Sequence, residues 1–134
     1  MADEALIRKR IKTAQQRLQA ARLLFDQSFT NDALSKSYYA IFAAANALLA
    51  SQGLQSRKHS GVISLFNKHF VKPGLVAREF GKIIAQARDA RELSDYADFF
   101  EAGKDETNNQ IKGAERFIEA AIGFLQASGF DFTS

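Results

Sequence analysis

Along the first 27 positions, apolar residues recur at Ile7, Ile11, Ala14, Leu18, Ala21 and Phe25, at spacings of 4, 3, 4, 3 and 4. That rhythm keeps one stripe of an α-helix apolar. The opposite face carries Arg8, Lys12, Gln15, Gln19 and Arg22. The spacing predicts a first helix over Asp3 to Gln27, with its stripe seated on a partner helix.

A second helix is predicted to start with Thr30 or Asn31 as N-cap and to stop at Gly53, which suits a C′ position. Of the thirteen residues from Tyr38 to Ala50, only Asn46 is not apolar. A helix apolar on all sides is buried or spans a membrane. Thirteen residues fall short of the roughly 20 that a bilayer requires, so burial is the expectation. Ala40, Ala43, Ala44, Ala45 and Ala47 admit close approach of neighbouring backbones. Because a small bundle seldom surrounds a helix completely, part of this one is expected to be covered by a second copy in an isologous contact.

The stretch Ser51 to Ser60 is a polar connection, and Ser60 is placed to cap a short third helix through about Phe70. Pro73-Gly74 forces a turn. A fourth helix over Leu75 to Ser94 shows Val76, Phe80, Ile83, Ala87 and Ala90 on one face. The polar run Ala102 to Asn109 interrupts the pattern, with Asp105-Glu106 suited to the positive start of a fifth helix. That helix carries Ile111, Ala114, Ile118, Ala121 and Leu125 and ends at Gly129. One proline and no alternating β-branched runs complete the picture: an all-α, antiparallel up-and-down bundle of four long helices plus one short helix, in a single domain over 1–134.

Composition narrows the setting. The chain has no cysteine, which excludes a disulfide framework and a thiolate metal site and suits a reducing cytosol. The start, Met1-Ala-Asp-Glu, lacks a cationic region followed by an apolar run, so a cytoplasmic protein without membrane association is expected. The net charge of +3 is mild but unevenly spread. Residues 57–91 carry Arg57, Lys58, Lys68, Lys72, Arg78, Lys82, Arg88 and Arg91 against Glu79 and Asp89. Residues 92–119 reverse the sign. An anionic partner would therefore meet the middle third, although solvated helix faces account for the same run.

No Gly-rich phosphate loop, HExxH pair or GxSxG elbow occurs, which disfavours most familiar enzyme classes. The two histidines, His59 and His69, stand ten apart without carboxylates at helical spacing, so neither a metal nor a cofactor is expected. His69 reads as a helix-end residue. Arg57-Lys58-His59 precedes the expected start of helix three, where the amides of Ser60, Gly61 and Val62 would be free to bind an anion. A solvated basic loop is the other reading. Arg88, Arg91 and Asp95 share one side of helix four, with Tyr96 next. An Arg91 to Asp95 ion pair securing the helix end and a functional role both fit. Tyr38 and Tyr39 head the apolar helix just after Lys36, consistent with core packing and one hydroxyl at the surface.

Three segments taken together resemble a known family. They are Asn31-Asp32-Ala33-Leu34-Ser35-Lys36-Ser37-Tyr38-Tyr39-Ala40-Ile41-Phe42, then Lys58-His59-Ser60-Gly61, then Arg91-Glu92-Leu93-Ser94-Asp95-Tyr96. In this order they look like the HEPN domain. The resemblance implies a helical bundle, often a homodimer, frequently encoded beside a minimal nucleotidyltransferase in prokaryotic two-gene modules of toxin and antitoxin type. It further implies kinship with metal-independent ribonucleases, whose site pairs an Arg with a His four to six residues downstream and joins two copies into one cleft. Here no Arg has a His at that spacing; Arg91 takes the position of the family's Arg but is followed by Asp95 and Tyr96, and Lys36 stands where many relatives carry an Arg.

Cleaving RNA without a metal needs a group that exchanges protons near neutral pH and a cation for the developing phosphorane charge. Arg91 supplies the cation, whereas Asp95 beside it should stay ionised and make a poor acid. His59 serves only if folding brings it to Arg91. The expectation is a nucleotide- or RNA-binding interaction module that partners a nucleotidyltransferase, with Lys36, Tyr39, Lys58, His59, Arg88, Arg91 and Asp95 at the phosphate. The alternative is a ribonuclease toxin in which Arg91, His59 and Tyr96 carry the chemistry.

Overall fold

The computed structural model describes residues 3–132, so the first two and last two positions of the expected domain lie outside it. Five α-helices and one π-helical turn are found among the described residues: α1 Glu4–Asp26, α2 Thr30–Ser51, α3 His59–Phe66, the π-turn Asn67–Val71, α4 Arg78–Tyr96 and α5 Lys104–Ala127. The all-α expectation is met, with four long helices and one short one.

Helix α1 follows its periodicity closely. Asp3 is the N-cap and accepts a hydrogen bond from the Leu6 amide at 3.0 Å. Ile7, Ile11, Ala14, Leu18 and Ala21 are buried, and Phe25 is half-buried against the same core. Its stripe lies on α2, which also packs against α5, α4 and α3 and is therefore the centre of the bundle.

Most of the apolar helix is covered by its own chain: Ala40, Ile41, Ala44, Ala45, Ala47, Leu48, Leu49 and Ala50 are buried, while Tyr39, Phe42, Ala43 and Asn46, together on one face, keep partial exposure. The small alanines let four helices close on it at once. Large apolar exposure sits elsewhere, at Leu93, Tyr96 and Phe99 near the end of α4 and at Phe29.

Several helix ends differ from the sequence expectation. At the start of α2 neither Thr30 nor Asn31 caps; Phe29 holds the N-cap without a side-chain bond. The Asn31 carboxamide is engaged further away, donating to the Phe100 carbonyl and accepting from the Ala102 amide, both at 2.8 Å. Gly53 has the positive φ of +69° that a C′ residue needs, and the Leu54 amide returns to the Leu49 carbonyl at 2.9 Å.

Lys58, not Ser60, is the N-cap of α3. Val62 then bonds the Lys58 carbonyl at 3.1 Å, so its amide is not free for an anion. Helix α4 begins at Arg78 rather than Leu75, because after Pro73-Gly74 the Val76 amide turns back to the Phe70 carbonyl at 3.1 Å. It runs two residues past Ser94, to Tyr96, and its buried positions are Ile84 and Ala87, with Val76, Phe80 and Ile83 packed at the margin.

The polar run is mostly helical, since α5 starts at Lys104, with Asp105 and Glu106 in its first turn as the sequence indicated. Polar bonds take the place of apolar contacts there. Thr107 is fully buried with its hydroxyl on the Gly103 carbonyl at 2.8 Å, and Gln110 donates to the Leu34 carbonyl of α2 at 2.9 Å. Among the described residues no helix is long and apolar enough to cross a membrane.

Candidate functional site

Tyr38 and Tyr39 are consecutive on α2, so their side chains leave the helix about 100° apart. Tyr38 turns into the bundle and is fully buried; Tyr39 stays at its rim, half-buried. Each meets a residue from a different helix.

His59, the first residue of α3, places Nδ1 2.9 Å from the Tyr38 hydroxyl. Its ring stacks on Phe42 with centroids 4.1 Å apart and planes inclined by 23°. Phe42 lies one turn beyond Tyr38, so a single face of α2 grips the imidazole from two sides. Gly61 permits this start to α3: a Cβ there would collide with the Ser56 hydroxyl and lie 2.9 Å from the Ser56 Cβ.

Arg91 arrives from α4. One terminal N–H donates to the Tyr39 hydroxyl at 2.8 Å. The guanidinium carbon stands 5.9, 5.4 and 5.7 Å from the ring centres of Tyr38, Tyr39 and Tyr96, within the range of cation–π attraction. Nε lies 2.9 Å from Asp95 Oδ2 without hydrogen-bond geometry, so the pair attracts by charge while this buried N–H makes no hydrogen bond.

The electrostatics follow from this packing. Burial lowers the His59 pKa below its ordinary 6.5, and the charges of Arg91 and Arg88 lower it further. The imidazole is thus neutral at neutral pH. Burial also pushes the Tyr38 hydroxyl up to about 12, against the pull of Arg88 and Arg91, so it keeps its proton. For Arg91, burial works against the charge, but Tyr39, Tyr96, Asp95 and Tyr38 outweigh it and hold the guanidinium above its ordinary value.

The fold therefore gathers Tyr39, His59, Arg91, Asp95 and Tyr96 at one place. Arg88 flanks them, 3.4 Å from Glu92, and its charge reaches His59. Lys36 is half-buried one turn before Tyr39, and Lys58 is exposed at the α3 N-cap; neither forms an ion pair among the described residues. Tyr38, read from sequence as a packing residue, contributes its hydroxyl to His59. Phe42 was not singled out, although its spacing of four from Tyr38 is the signal that places both on one face.

A family model described as the HEPN domain matches residues 7–124, a span that includes every residue of this cluster. The chain belongs to the HEPN domain family. A protein of Methanocaldococcus jannaschii named "Putative toxin" is 36% identical over 81% of this chain and 81% of its own length. A Thermotoga maritima chain named "UPF0332 protein" is 36% identical over 81% of this chain and 83% of its own. A second M. jannaschii "Putative toxin" is 29% identical over 89% of this chain and 81% of its own. Within this HEPN chain the Arg and His that bond adjacent tyrosines of α2 are far apart in sequence and in reverse order, since His59 precedes Arg91 and comes from another helix.

Proposed function

We propose that this HEPN protein is a toxin-type module that binds RNA or nucleotide phosphates at Arg91 and His59, works as one half of a two-gene pair with a minimal nucleotidyltransferase, and assembles as a homodimer in the cytoplasm. The observation that supports it best is the convergence of Arg91 and His59 on adjacent tyrosines of α2. A cation and a neutral imidazole held on adjacent tyrosines offer complementary hydrogen-bond donors to phosphate oxygens. Lys36, Lys58 and Arg88 add positive charge around them, and Asp95 draws on the Arg91 charge from one helical turn away. The names of the two M. jannaschii relatives favour the toxin reading.

Retention of the purified protein on immobilised RNA, lost in Arg91→Ala, is the expected result, together with co-purification of the neighbouring gene product. A protein that neither binds RNA nor nucleotide nor captures that product overturns the proposal. A monomeric mass by light scattering at micromolar concentration overturns the dimer.

A second reading, metal-independent ribonuclease, is favoured by one specific observation: the proton-exchanging residue that the local sequence around Arg91 lacks is supplied by His59. In it Arg91 stabilises phosphorane charge, His59 exchanges a proton and Tyr96 assists from the rim. Growth inhibition and RNA degradation that persist unchanged in Arg91→Ala would exclude it.

A further inference from the structure

The Arg–His pair here is not built on one helical turn, so something else must fix the distance and orientation between its members. Two neighbouring hydroxyls on α2 are in position to do so. Tyr38 has 0% exposure and its hydroxyl meets only the His59 Nδ1 among the described hydrogen bonds. A buried hydroxyl that kept its proton to itself would leave a donor unsatisfied, which is costly. The Tyr38 O–H must therefore donate, and Nδ1 must accept. A neutral imidazole that accepts at Nδ1 carries its own proton at Nε2. Tyr39, one residue on, accepts from the Arg91 N–H at 2.8 Å and lies beneath its guanidinium. Phe42 stacks on His59 and blocks rotation of the ring to other partners.

We propose that Tyr38 and Tyr39 are positioning residues that divide the site between them. Tyr38 locks His59 in the form that carries its proton on Nε2, and Tyr39 aims Arg91. Together they present one N–H donor and one cation from two different helices to the same phosphate. The last step rests on the phosphate-binding reading; the tautomer assignment does not. In this arrangement His59 enters as a hydrogen-bond donor through Nε2, and not as the base that removes a proton from an RNA hydroxyl, because its basic nitrogen, Nδ1, is occupied by the Tyr38 hydroxyl.

Long-range proton–nitrogen NMR correlations on 15N-labelled protein at neutral pH distinguish the protonated from the bare ring nitrogen. With two histidines in the chain, a His69→Gln variant assigns the His59 signals unambiguously. The expected spectrum has a bare Nδ1 and a protonated Nε2 on His59. Tyr38→Phe removes one oxygen and keeps the ring; it should convert that signature to a mixture of tautomers and weaken RNA retention roughly tenfold, the scale of one lost hydrogen bond. Tyr39→Phe should weaken retention while leaving the His59 tautomer untouched. A protonated Nδ1 in the unmutated protein, or an unchanged signature in Tyr38→Phe, overturns the proposal. The wild-type spectrum decides even if the variant does not fold. A bare Nδ1 in a protein with no affinity for RNA or nucleotide would sink the phosphate reading and leave the role of Tyr38 standing.

Discussion

Asp95 Oδ2 lies 2.9 Å from Arg91 Nε one helical turn away, yet the N–H stays without a hydrogen bond. The carboxylate thus draws the guanidinium by charge while leaving a strong donor unused. A phosphate reaching the accessible part of the guanidinium of Arg91, whose side chain is 19% exposed, would compete with Asp95 for the same charge. Asp95→Asn should therefore raise RNA affinity by about 2- to 5-fold, matching the modest worth of a partly exposed ion pair. Filter binding at fixed ionic strength measures this. Weaker binding by the variant would mean that Asp95 aims Arg91 and does not compete for it.

His59 sets a pH dependence of stability. Its pKa in the folded chain is lowered, first by burial and then by Arg91 and Arg88, so the unfolded chain takes up this proton before the folded chain does. Stability consequently falls as pH drops through about 6.5 toward the lowered folded value, and the contribution is fully restored above that window. Melting temperatures compared between about pH 7.5 and about pH 5.5 should fall further for the unmutated protein than for His59→Asn, which cannot titrate. Parallel losses in both proteins would show that His59 is not the group responsible.

Much of the bundle was legible because its signals are local. The stripe of α1 and the apolar run of α2 depend only on residues a turn or two apart, and both are buried as their periodicity requires. The helix starts were harder to read where a side chain serves a distant partner. Asn31 has the chemistry of an N-cap but spends it on Phe100 and Ala102. The start of α5 was legible in Asp105-Glu106, which stand in its first turn, whereas Thr107 and Gln110 are held by polar bonds that leave no apolar rhythm. At the site, the candidates Tyr39, His59, Arg91, Asp95 and Tyr96 were each visible as residue types. Their meeting was not, since His59 and Arg91 are joined only through α2.

The Asn31 bridge predicts a local effect. Its carboxamide acts as a stand-in peptide group, donating to one backbone position and accepting from another in the segment that follows α4. Asn31→Ala leaves both partners without their bonds and should cost about 1–3 kcal/mol in global stability. Amide exchange at Ala102 should speed up well before that of α1 or α2. Asn31→Asp keeps the acceptor for Ala102 and loses the donor for Phe100, so its Ala102 amide should remain the better protected of the two variants. Equal exchange in both would mean that the segment is held by something other than this bridge.

Gly61 makes the strictest geometric prediction, because the start of α3 is closed around its missing side chain. A methyl group at Gly61 would overlap the Ser56 hydroxyl and press on the Ser56 Cβ at 2.9 Å, while Ser56 Oγ is itself bonded by the Lys58 amide at 3.3 Å. The turn from Ser56 to Lys58 would have to move, and His59 with it. Gly61→Ala should therefore destabilise the protein by about 1–3 kcal/mol, the usual cost of overpacking, and should disturb the His59 tautomer as well. Removing the obstacle tests the cause: Ser56→Gly combined with Gly61→Ala takes away both clashing atoms and should recover part of the stability and the Nε2–H signature. Chemical denaturation of the two single variants and the double variant gives the coupling directly. Strict additivity would show that Gly61 is required for another reason, whereas a positive coupling places the constraint at the Ser56 contact, the one that sets where His59 begins its helix.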